Sequence, residues 1–330
     1  MKKQWNHKAL YLVVVVTTPL LVSGFWGFSP HKELHAVAIT GLPHPLFGFY
    51  KTYQNDIINR ATDADKRKHG VEGEAAKHYI DLDKFPNGIK SCGWYEACDK
   101  YGEDSLLERG VLPWNIERVY ISLVLEMSKS GEKGDYSTTL NRILRLSADL
   151  GHYVGDAHVP LHTTSNYNGQ KTGQSGIHAL WETHVYETSR TRWTGRKVHA
   201  VYIEDIRKWI WNVINDSHSD VEEVLVKERI TRERPDAPEI WGYRTRGRTL
   251  SLIPTPAFCE EYGRALDGMV ERRFYMSAEG IASVWYSAWV DAGAPDLYSD
   301  FPLNFLKENN DTCGAFIKLK NELRRFFQDL

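Results

Sequence analysis

The sequence predicts an all-α protein in which several helices form a single-domain bundle. Apolar residues recur at three- and four-residue spacing through most of the chain after residue 25, and convincing alternation of apolar and polar residues is hard to find. No Gly/Ser-rich or Pro-rich linker divides the 330 residues, and single domains of more than about 250 residues are known. We therefore expect one domain over residues 26–330.

Six stretches of the sequence carry the helical pattern, and proline begins two of them, where its missing N–H is tolerated. They span residues 45–60, 113–129, 136–158, 201–227, 259–273 and 277–291. Long connections are expected at 163–176 and 227–256. Six arginines lie in the second connection: Arg229, Arg232, Arg234, Arg244, Arg246 and Arg248. Acids and prolines interrupt these arginines, which favours a solvated loop or insertion over a polyanion site.

The composition is that of an ordinary globular protein. The chain carries 41 Lys and Arg against 43 Asp and Glu, and 42% of its residues are hydrophobic. These proportions exclude a disordered or low-complexity chain. The near balance of charge also argues against a protein that holds nucleic acid mainly by bulk positive charge. A polyanionic ligand would have to be held by local contacts.

The first 25 residues have the pattern of a secretory leader. Lys2, Lys3 and Lys8 precede an apolar run over residues 9–22, which is the order found in a signal peptide. The run is shorter than the roughly 20 apolar residues that a membrane-spanning helix needs. We therefore predict a signal peptide at 1–25 and export of the protein to the periplasm or out of the cell.

Four cysteines, in an exported chain, are expected to form disulfides. Cys92 and Cys98 flank a short loop and would be the local pair, which would leave Cys259 with Cys313. The sequence itself leaves three connectivities open, and free buried thiols are the alternative.

Several common catalytic motifs are missing. The sequence has no G-x-x-x-x-G-K-[ST], no G-x-S-x-G after a strand and no G-x-G-x-x-G, so nucleotide-triphosphate, α/β-hydrolase and dinucleotide chemistry are not indicated. Residues 31–35 read His-Lys-Glu-Leu-His. Because the Glu stands one place too late for the H-E-x-x-H motif, we reject a zinc-protease interpretation.

The stretch over residues 151–162 gives the strongest indication of a metal site. On a helix, His152 and Asp156 project from the same face one turn apart, where an imidazole and a carboxylate can share one Zn²⁺. Pro160 then disrupts the regular helix and can redirect His162 toward a neighbouring position.

A second His and acid pair with the same spacing follows at His178 and Glu182. One such pair is often only an ion pair, and an isolated histidine is more often a core or surface residue than a ligand. Two pairs and His162, all between residues 152 and 182, are hard to explain as solvated surface. The density of these residues favours a metal site. Residues 61–68 and 74–81 offer further acids and a histidine, but their spacing alone is unremarkable.

Taken together, these residues resemble the superfamily of zinc-dependent phospholipases C and single-strand nucleases, whose nuclease branch is typified by nuclease P-one. The pattern His-Tyr-Val-Gly-Asp followed by Pro-Leu-His is specific, and the matching segments occur in the family's order. They cover residues 26–31, 65–68, 78–81, 152–162 and 178–182. The resemblance implies an all-α bundle of that type that binds three Zn²⁺ ions.

The resemblance also implies which residues hold each zinc ion. The first site would use Asp65, His78, His152 and Asp156, the second His162, His178 and Glu182, and the third Trp26, His31 and Asp156. Asp156 would therefore bridge two metals, an arrangement suited to activating water and stabilising charge during phosphoryl displacement.

Catalytic roles follow from the same resemblance. Asp65 would orient the attacking water, and Lys68, three places later, would steady the phosphate. Arg67 could support Lys68, because lysine offers a point charge where the nuclease branch usually has the bidentate guanidinium of arginine. Asp63 is an alternative to Asp65 as the upstream acid.

Five residues near these ligands have two possible interpretations. His35 could support the site, although core packing is the simpler role, and His158 could contact substrate or have a plain surface role on the helix. Asn166, Tyr167 and Asn168 could touch phosphate or sugar, and a simple turn explains them equally well.

The sequence has features of both branches of the superfamily. Glu182 resembles the phospholipase branch, whereas residues 26–31 and 78–81 look more like the nuclease branch. We expect an exported zinc-dependent phosphodiester hydrolase that acts on a phospholipid head group or single-stranded nucleic acid, as a monomer without a stable protein partner. The alternative from another class is an exported module that binds zinc for stability and does not catalyse.

Overall fold

The computed structural model describes residues 28–297 except 86–87, 90, 131–135 and 247–248. The predicted signal peptide, Trp26 and Cys313 lie outside the described residues. The described residues are mainly α-helical, so the prediction of an all-α protein is confirmed. The α-helices of the first half are α1 (Phe28–Thr40), α2 (Leu46–Thr52), α3 (Gln54–Arg60), α4 (Asp63–Arg67), α5 (Trp94–Tyr101), α6 (Glu103–Arg109), α7 (Leu112–Ser128) and α8 (Tyr136–Ala157).

The second half continues the helical pattern after a short irregular region. Its helices are α9 (Ile177–Ala179), α10 (Tyr186–Ser189), α11 (Ile206–Ser219), α12 (Val221–Glu233), α13 (Pro256–Ala265) and α14 (Met269–Asp291). A π-helical turn, Leu180–Val185, joins α9 to α10, and short 3₁₀ turns lie at Ala75–His78, Leu82–Lys84, Pro160–Thr163 and Arg190–Arg192.

Helix α8 lies in the middle of the bundle, where it contacts α1, α3, α7 and α14. From Leu146 to Ala157 every residue except Asp149 is buried, which is the pattern of a helix surrounded on all sides. Polar side chains join it to its neighbours. Trp285 of α14 donates its Nε1–H to the carbonyl of Ser147 at 2.9 Å, and the hydroxyls of Ser147 and Tyr50 hydrogen-bond at 2.9 Å.

Several helix boundaries differ from the predicted ones. The stretch predicted as one helix over 201–227 starts only at Ile206 and breaks at Asp220. Asp205 fixes this start because its carboxylate accepts a hydrogen bond from the Lys208 N–H at 2.9 Å. The helices predicted at 259–273 and 277–291 divide earlier, at Gly268, whose φ of 74° is in the left-handed region.

The long connection predicted over 227–256, interpreted as a solvated loop or insertion, contains regular structure. Helix α12 continues to Glu233, and the segment then forms an antiparallel hairpin of β1 (Trp241–Arg246) and β2 (Thr249–Pro254). The two-residue alternation is present in the sequence, with apolar residues at 241, 243, 250 and 252. It is short, and Gly242 and Ser251 stand between the apolar residues, so it does not resemble the continuous apolar run of a strand in a buried sheet.

Cys92 and Cys98 do not form the predicted local disulfide. Cys92, Cys98 and Cys259 all carry free thiols. The residues between Cys92 and Cys98 do not form the expected loop, because helix α5 starts at Trp94 and contains Cys98. A helix advances about 1.5 Å along its axis for each residue, so it carries Cys98 away from Cys92.

None of the helices in the described part of the chain has the length and apolar character needed to cross a membrane.

Candidate metal centre

Helix α8 brings the first two candidate ligands into the core. His152 and Asp156 lie one turn apart on its buried C-terminal half, as their spacing predicts. The helix ends at Ala157, and the following 3₁₀ turn, which starts at Pro160, carries His162 back toward the same place. His162 Nε2 lies 3.9 Å from Asp156 Oδ1.

Two glycines let helix α1 pack closely against α8. A Cβ atom on Gly155 would lie 3.0 Å from His31 Nδ1, and one on Gly151 would lie 2.5 Å from His35 Nε2. The two histidines and the two glycines each have a spacing of four, so they face each other along one helix–helix contact. The close approach places His31 Nε2 3.3 Å from Asp156 Oδ1.

The first group of candidate ligands consists of Asp65, His78 and His152, whose ligand atoms lie within 4.8 Å of one another. Asp65 comes from the short helix α4, and His78 ends the 3₁₀ turn Ala75–His78. Asp156 adjoins this group, because its Oδ2 lies 2.8 Å from His78 Nδ1 and 3.4 Å from His152 Nε2.

The second group consists of His162, His178 and Glu182, again with ligand atoms within 4.8 Å of one another. His178 Nε2 lies 2.8 Å from Glu182 Oε2. Glu182 is in the π-helical turn Leu180–Val185, and such turns are frequent at functional sites. His162 Nε2 lies 3.7 Å from Glu182 Oε2, which completes the group.

The third group consists of His31, His152 and Asp156, all buried. The rings of His31 and His152 stack with their centroids 4.0 Å apart. Glu182 also approaches His31, with Oε1 3.6 Å from Nε2. The third site implied by the resemblance thus contains His31 and Asp156, and Glu182 is a neighbour that the sequence analysis placed only in the second site. Trp26 lies outside the described residues, so its assignment stays a prediction.

The hydrogen bonds of two histidines leave one nitrogen of each ring facing carboxylates, an arrangement that suits a cation. His152 Nδ1 faces the carbonyl of Ala61 at 2.8 Å and must donate its N–H there. In the neutral ring Nε2 then presents a lone pair toward His78 Nδ1 at 3.1 Å, and also toward Asp156 Oδ2 at 3.4 Å and Asp65 Oδ1 at 3.6 Å. A lone pair that faces two carboxylates is repelled unless a proton or a metal ion lies between them.

His162 has the same arrangement. Its Nδ1–H donates to the carbonyl of His78 at 2.5 Å, so Nε2 faces Glu182 and Asp156 with its lone pair. Hydrogen bonds from the far ring nitrogen to a backbone carbonyl are the usual support of metal-binding histidines. Both rings therefore fit Zn²⁺, which binds neutral imidazole together with carboxylate.

The acids of the centre are held in their charged form. Burial raises the pKa of Asp156, but the neighbouring imidazoles of His152 and His162 outweigh it and hold that pKa well below its usual range. The pKa of Glu182 is lowered in the same way, against the effect of burial, by hydrogen bonds to His162 and His178. For His31, burial lowers the pKa, and the hydrogen bond to Asp156 leads the contacts that raise it to about 10.

Asp65 and Lys68 face the solvent side of the centre. Lys68 Nζ lies 2.7 Å from Asp65 Oδ1. Burial raises the pKa of Asp65, but His152 and Lys68 bring it down to about 2. An open cleft of about 500 Å³ leads to the centre here. Its lining includes Lys68, His78, His162, His178, Tyr79 and Tyr167.

Arg67 contacts a different set of residues. Its guanidinium donates to Glu74 Oε1 at 3.1 Å and pairs with Asp149 at 3.0 Å. It also reaches the Tyr153 hydroxyl at 3.4 Å. Lys68, and not Arg67, lines the cleft, so the predicted support of Lys68 by Arg67 finds no contact among the described residues. Asp63, the alternative upstream acid, pairs with the exposed Lys66.

The loop residues separate into two roles. Asn166 Oδ1 accepts a hydrogen bond from the Lys171 N–H at 2.8 Å, and Asn168 Oδ1 accepts one from Gly176 N–H at 3.1 Å. Both amides therefore shape the loop, as a turn sequence would. Tyr167 is exposed at the cleft, and its ring meets that of His178 edge to face at 6.0 Å.

His35 and His158 are buried in the core. His35 lies between the carbonyls of His31 and Ala148. His158 donates from Nδ1 to the carbonyl of Val154 at 2.8 Å. His35 therefore has the core role that the sequence favours, whereas the surface role considered for His158 is wrong because its side chain is buried.

The described fold and the groups of His, Asp and Glu define an all-α protein with a buried candidate metal centre. No family model matches the chain, and no curated protein matches it. Among solved structures, the alpha-toxin of Clostridium perfringens, isolated from avian strain SWCP, is similar with a TM-score of 0.45 and 13% identity. The match covers 83% of this chain and 65% of the toxin chain, so the chain spans just under two thirds of the toxin's length.

Proposed function

We propose that this protein is a zinc-dependent phosphodiester hydrolase with a cluster of three zinc ions. The position of Asp156 is the observation that carries the proposal. Its Oδ1 faces His31 and His162, and its Oδ2 faces His78 and His152. A carboxylate whose two oxygens lie among different imidazoles suits a bridge between metals, whereas a structural zinc site usually has a closed set of four ligands around one ion.

Bound zinc would lower the pKa of a water molecule and neutralise charge on phosphoryl oxygens. The residues that would hold it are Asp65, His78, His152, Asp156, His162, His178, Glu182 and His31, with Trp26 as a further ligand.

Asp65 and Lys68 would act on the substrate from the cleft side. Asp65 is ionised at neutral pH because its pKa is about 2, so it can accept a hydrogen bond from the attacking water and orient it. Lys68 lines the cleft and carries its charge close to Asp65. It would bind a phosphate oxygen, an electrostatic contact that gains strength as negative charge develops.

The same proposal extends to the whole chain. Residues 1–25 would be removed as a signal peptide during export, and residues 26–330 would form one catalytic domain. The substrate would be a phospholipid head group or single-stranded nucleic acid, bound by a monomeric enzyme. An open cleft beside the centre supports catalysis over the alternative of a zinc-binding structural module.

The test compares two identical substitutions on helix α8. Asp156→Asn should lower the zinc content of the purified protein and reduce phosphodiester hydrolysis by about a hundredfold or more, since a bridging ligand is lost. Asp149→Asn lies about two turns earlier and pairs with Arg67, so it should leave zinc content and rate unchanged. Unaltered zinc and rate in Asp156→Asn would refute the proposal.

The substrate is identified by assaying chelated and zinc-reconstituted protein on two substrates. Release of diacylglycerol from phospholipid vesicles would assign phospholipase C activity, and cleavage of single-stranded DNA or RNA would assign nuclease activity. Tight zinc binding that stabilises the fold, without hydrolysis of either substrate or of a generic phosphodiester, would assign the structural module instead.

A further inference from the structure

The hairpin β1–β2 presents apolar side chains to solvent on one of its faces. Tyr243 pairs with Leu252, and Thr245 pairs with Leu250. Paired residues and residues two apart in a strand lie on the same face, so Tyr243, Leu250 and Leu252 form one surface, which we call the hairpin face. These three side chains are 75%, 62% and 55% exposed.

The charge of the hairpin is strongly positive. The sequence over residues 241–254 contains three arginines and no acidic residue. Arg244 follows Tyr243 in β1, and it is exposed. Because side chains alternate along a strand, Arg244 lies on the face opposite to Tyr243. The hairpin is therefore apolar on one face and cationic on the other.

The base of the hairpin is fixed close to the candidate metal centre. A Cβ atom on Gly176 would lie 3.0 Å from Trp241 Cη2, so the Trp241 ring packs directly over this glycine, two residues before His178. Thr255 closes the base, because its N–H donates to the carbonyl of Ile240 at 2.8 Å and its hydroxyl to that of Glu239 at 2.6 Å.

We infer that the hairpin face docks onto an anionic phospholipid surface. Exposed aromatic and leucine side chains gain free energy when they enter the boundary between head groups and acyl chains. Arginine on the opposite face can reach the head groups with its long side chain, and it is attracted by anionic lipid. An apolar face and a cationic face on one surface element are the pattern of interfacial membrane binding.

Single-stranded nucleic acid fits this surface less well. Proteins that bind single strands combine stacking aromatic rings with cations along one groove. Here Leu252 is paired with Tyr243, Leu250 lies diagonally across from it, and Arg244 lies on the other face of the hairpin. Docking on lipid would also place the candidate metal centre at the membrane surface, since Trp241 packs next to the segment that leads to His178.

The experiment measures binding of the full chain to vesicles in the presence of chelator. Vesicles of phosphatidylcholine with phosphatidylserine are compared with vesicles of phosphatidylcholine alone. The triple variant Tyr243→Thr/Leu250→Thr/Leu252→Thr keeps β-branched side chains that suit strands, and it should bind the mixed vesicles at least about tenfold more weakly. Arg244→Ala should lose about fivefold on the mixed vesicles only.

The matched control uses exposed apolar residues elsewhere. Ile121 and Leu125 of helix α7 are 50% and 55% exposed, and the double variant Ile121→Thr/Leu125→Thr should bind vesicles as the unaltered chain does. Circular dichroism and the melting temperature verify that each variant is folded. A polarity-sensitive dye on a cysteine introduced as Leu252→Cys should shift to the blue with mixed vesicles, and one introduced as Leu125→Cys should not.

The dye measurement reports on the hairpin directly, whether or not residues 9–22 also bind lipid. A dye at position 252 that does not respond to vesicles, or a triple variant that binds like the unaltered chain, would overturn the inference. If the triple variant still binds vesicles but no longer binds an oligonucleotide, the hairpin face is a nucleic-acid site instead. If it still binds vesicles but no longer self-associates, the hairpin face contacts a second copy of the chain. Since chelated protein is used, the result is independent of the proposed hydrolysis.

Discussion

Glu74 is a buried acid outside the candidate metal centre that ties together the segments carrying its ligands. Its Oε1 accepts hydrogen bonds from the Tyr153 hydroxyl at 2.5 Å and from Arg67 at 3.1 Å, and its Oε2 accepts one from Lys77 at 2.6 Å. Arg67 follows Asp65 by two residues, Tyr153 follows His152, and Lys77 precedes His78. The single carboxylate thus links the three backbone segments that form the first group.

Replacing Glu74 should make the protein less stable except in acid. Burial raises the pKa of Glu74, but hydrogen bonds from Lys77 and Tyr153 and the charge of Arg67 bring it from 4.5 down to about 2. A carboxyl whose pKa is lower in the folded state than in the unfolded state stabilises the fold at every pH above its unfolded-state pKa. This contribution is lost as the pH falls toward the folded-state pKa of about 2. Glu74→Gln should therefore lower the free energy of unfolding by about 2 kcal/mol at pH 7.

Denaturant unfolding at a series of pH values measures this difference, which should shrink from pH 4.5 downward. The exposed Glu72 stands in the same segment, so Glu72→Gln is the control and should leave stability unchanged throughout. A difference that stays constant from pH 7 to pH 2.5 would contradict the role of the Glu74 charge.

Sequence patterns identified candidate metal ligands that the fold brings together, but not the residues that hold them in place. His152 and Asp156, like His178 and Glu182, are four residues apart, and helical geometry alone predicts that such residues lie on the same face. Glu74 belongs to a segment whose spacing is unremarkable, and the sequence does not show that Arg67 and Tyr153 meet it in the core. Such long-range contacts depend on how the helices pack.

At the scale of elements, the contact between α1 and α8 determines where His31 lies. The glycines that allow this contact, Gly151 and Gly155, have the spacing of a small-residue stripe, so a signal was present in the sequence. The two glycines alternate with His152 and Asp156 in the same stretch. Because the candidate metal ligands already explain that stretch, the spacing of the glycines attracts no separate interpretation. The glycines are explained only by the proximity of the His31 and His35 rings.

Gly151→Ala should destabilise the fold even though alanine favours helices. The new Cβ atom would lie 2.5 Å from His35 Nε2. The ring cannot move away freely, because it is buried and lies between the carbonyls of His31 and Ala148. Overpacking costs about 1–3 kcal/mol, which exceeds the gain of about 1 kcal/mol from replacing a helical glycine.

Thermal and denaturant unfolding measure the effect of Gly151→Ala. Gly195→Ala is the control, because a Cβ atom there meets nothing within 4 Å, and its stability should be unchanged or slightly higher. A Gly151→Ala protein as stable as the unaltered chain would show that α1 and α8 can separate without cost.

The hairpin shows the limit of sequence periodicity at this scale. A helix such as α7 was predictable because one side of it is buried over several turns, which gives a long repeating pattern. The hairpin has exposed residues on both faces, so burial imposes no strong alternation on its sequence. Backbone pairing between β1 and β2 defines it instead, and that pairing leaves little trace in composition.

At the scale of the whole molecule, the centre gathers charged groups from segments far apart in the chain. Three acids, Asp65, Asp156 and Glu182, meet five histidines, His31, His78, His152, His162 and His178. Without metal, the charge of Lys68 and protons on the histidines compensate the acids. The pKa of His31, raised to about 10 by its contacts with Asp156 and Glu182, makes that ring the expected place for one such proton. Zinc binding would replace it, since a metal binds the deprotonated imidazole.

Zinc binding at pH 7 should therefore release a proton from His31. The pKa of His31 is raised from 6.5 to about 10, so the metal-free ring is protonated at pH 7, and zinc affinity should increase with pH until the proton is lost near pH 10. Titration calorimetry in buffers with different ionisation enthalpies counts the released protons. His31→Gln should release about one proton fewer, whereas His44→Gln, at an exposed position, should match the unaltered chain. Equal proton release in all three proteins would contradict a role for His31 in binding zinc.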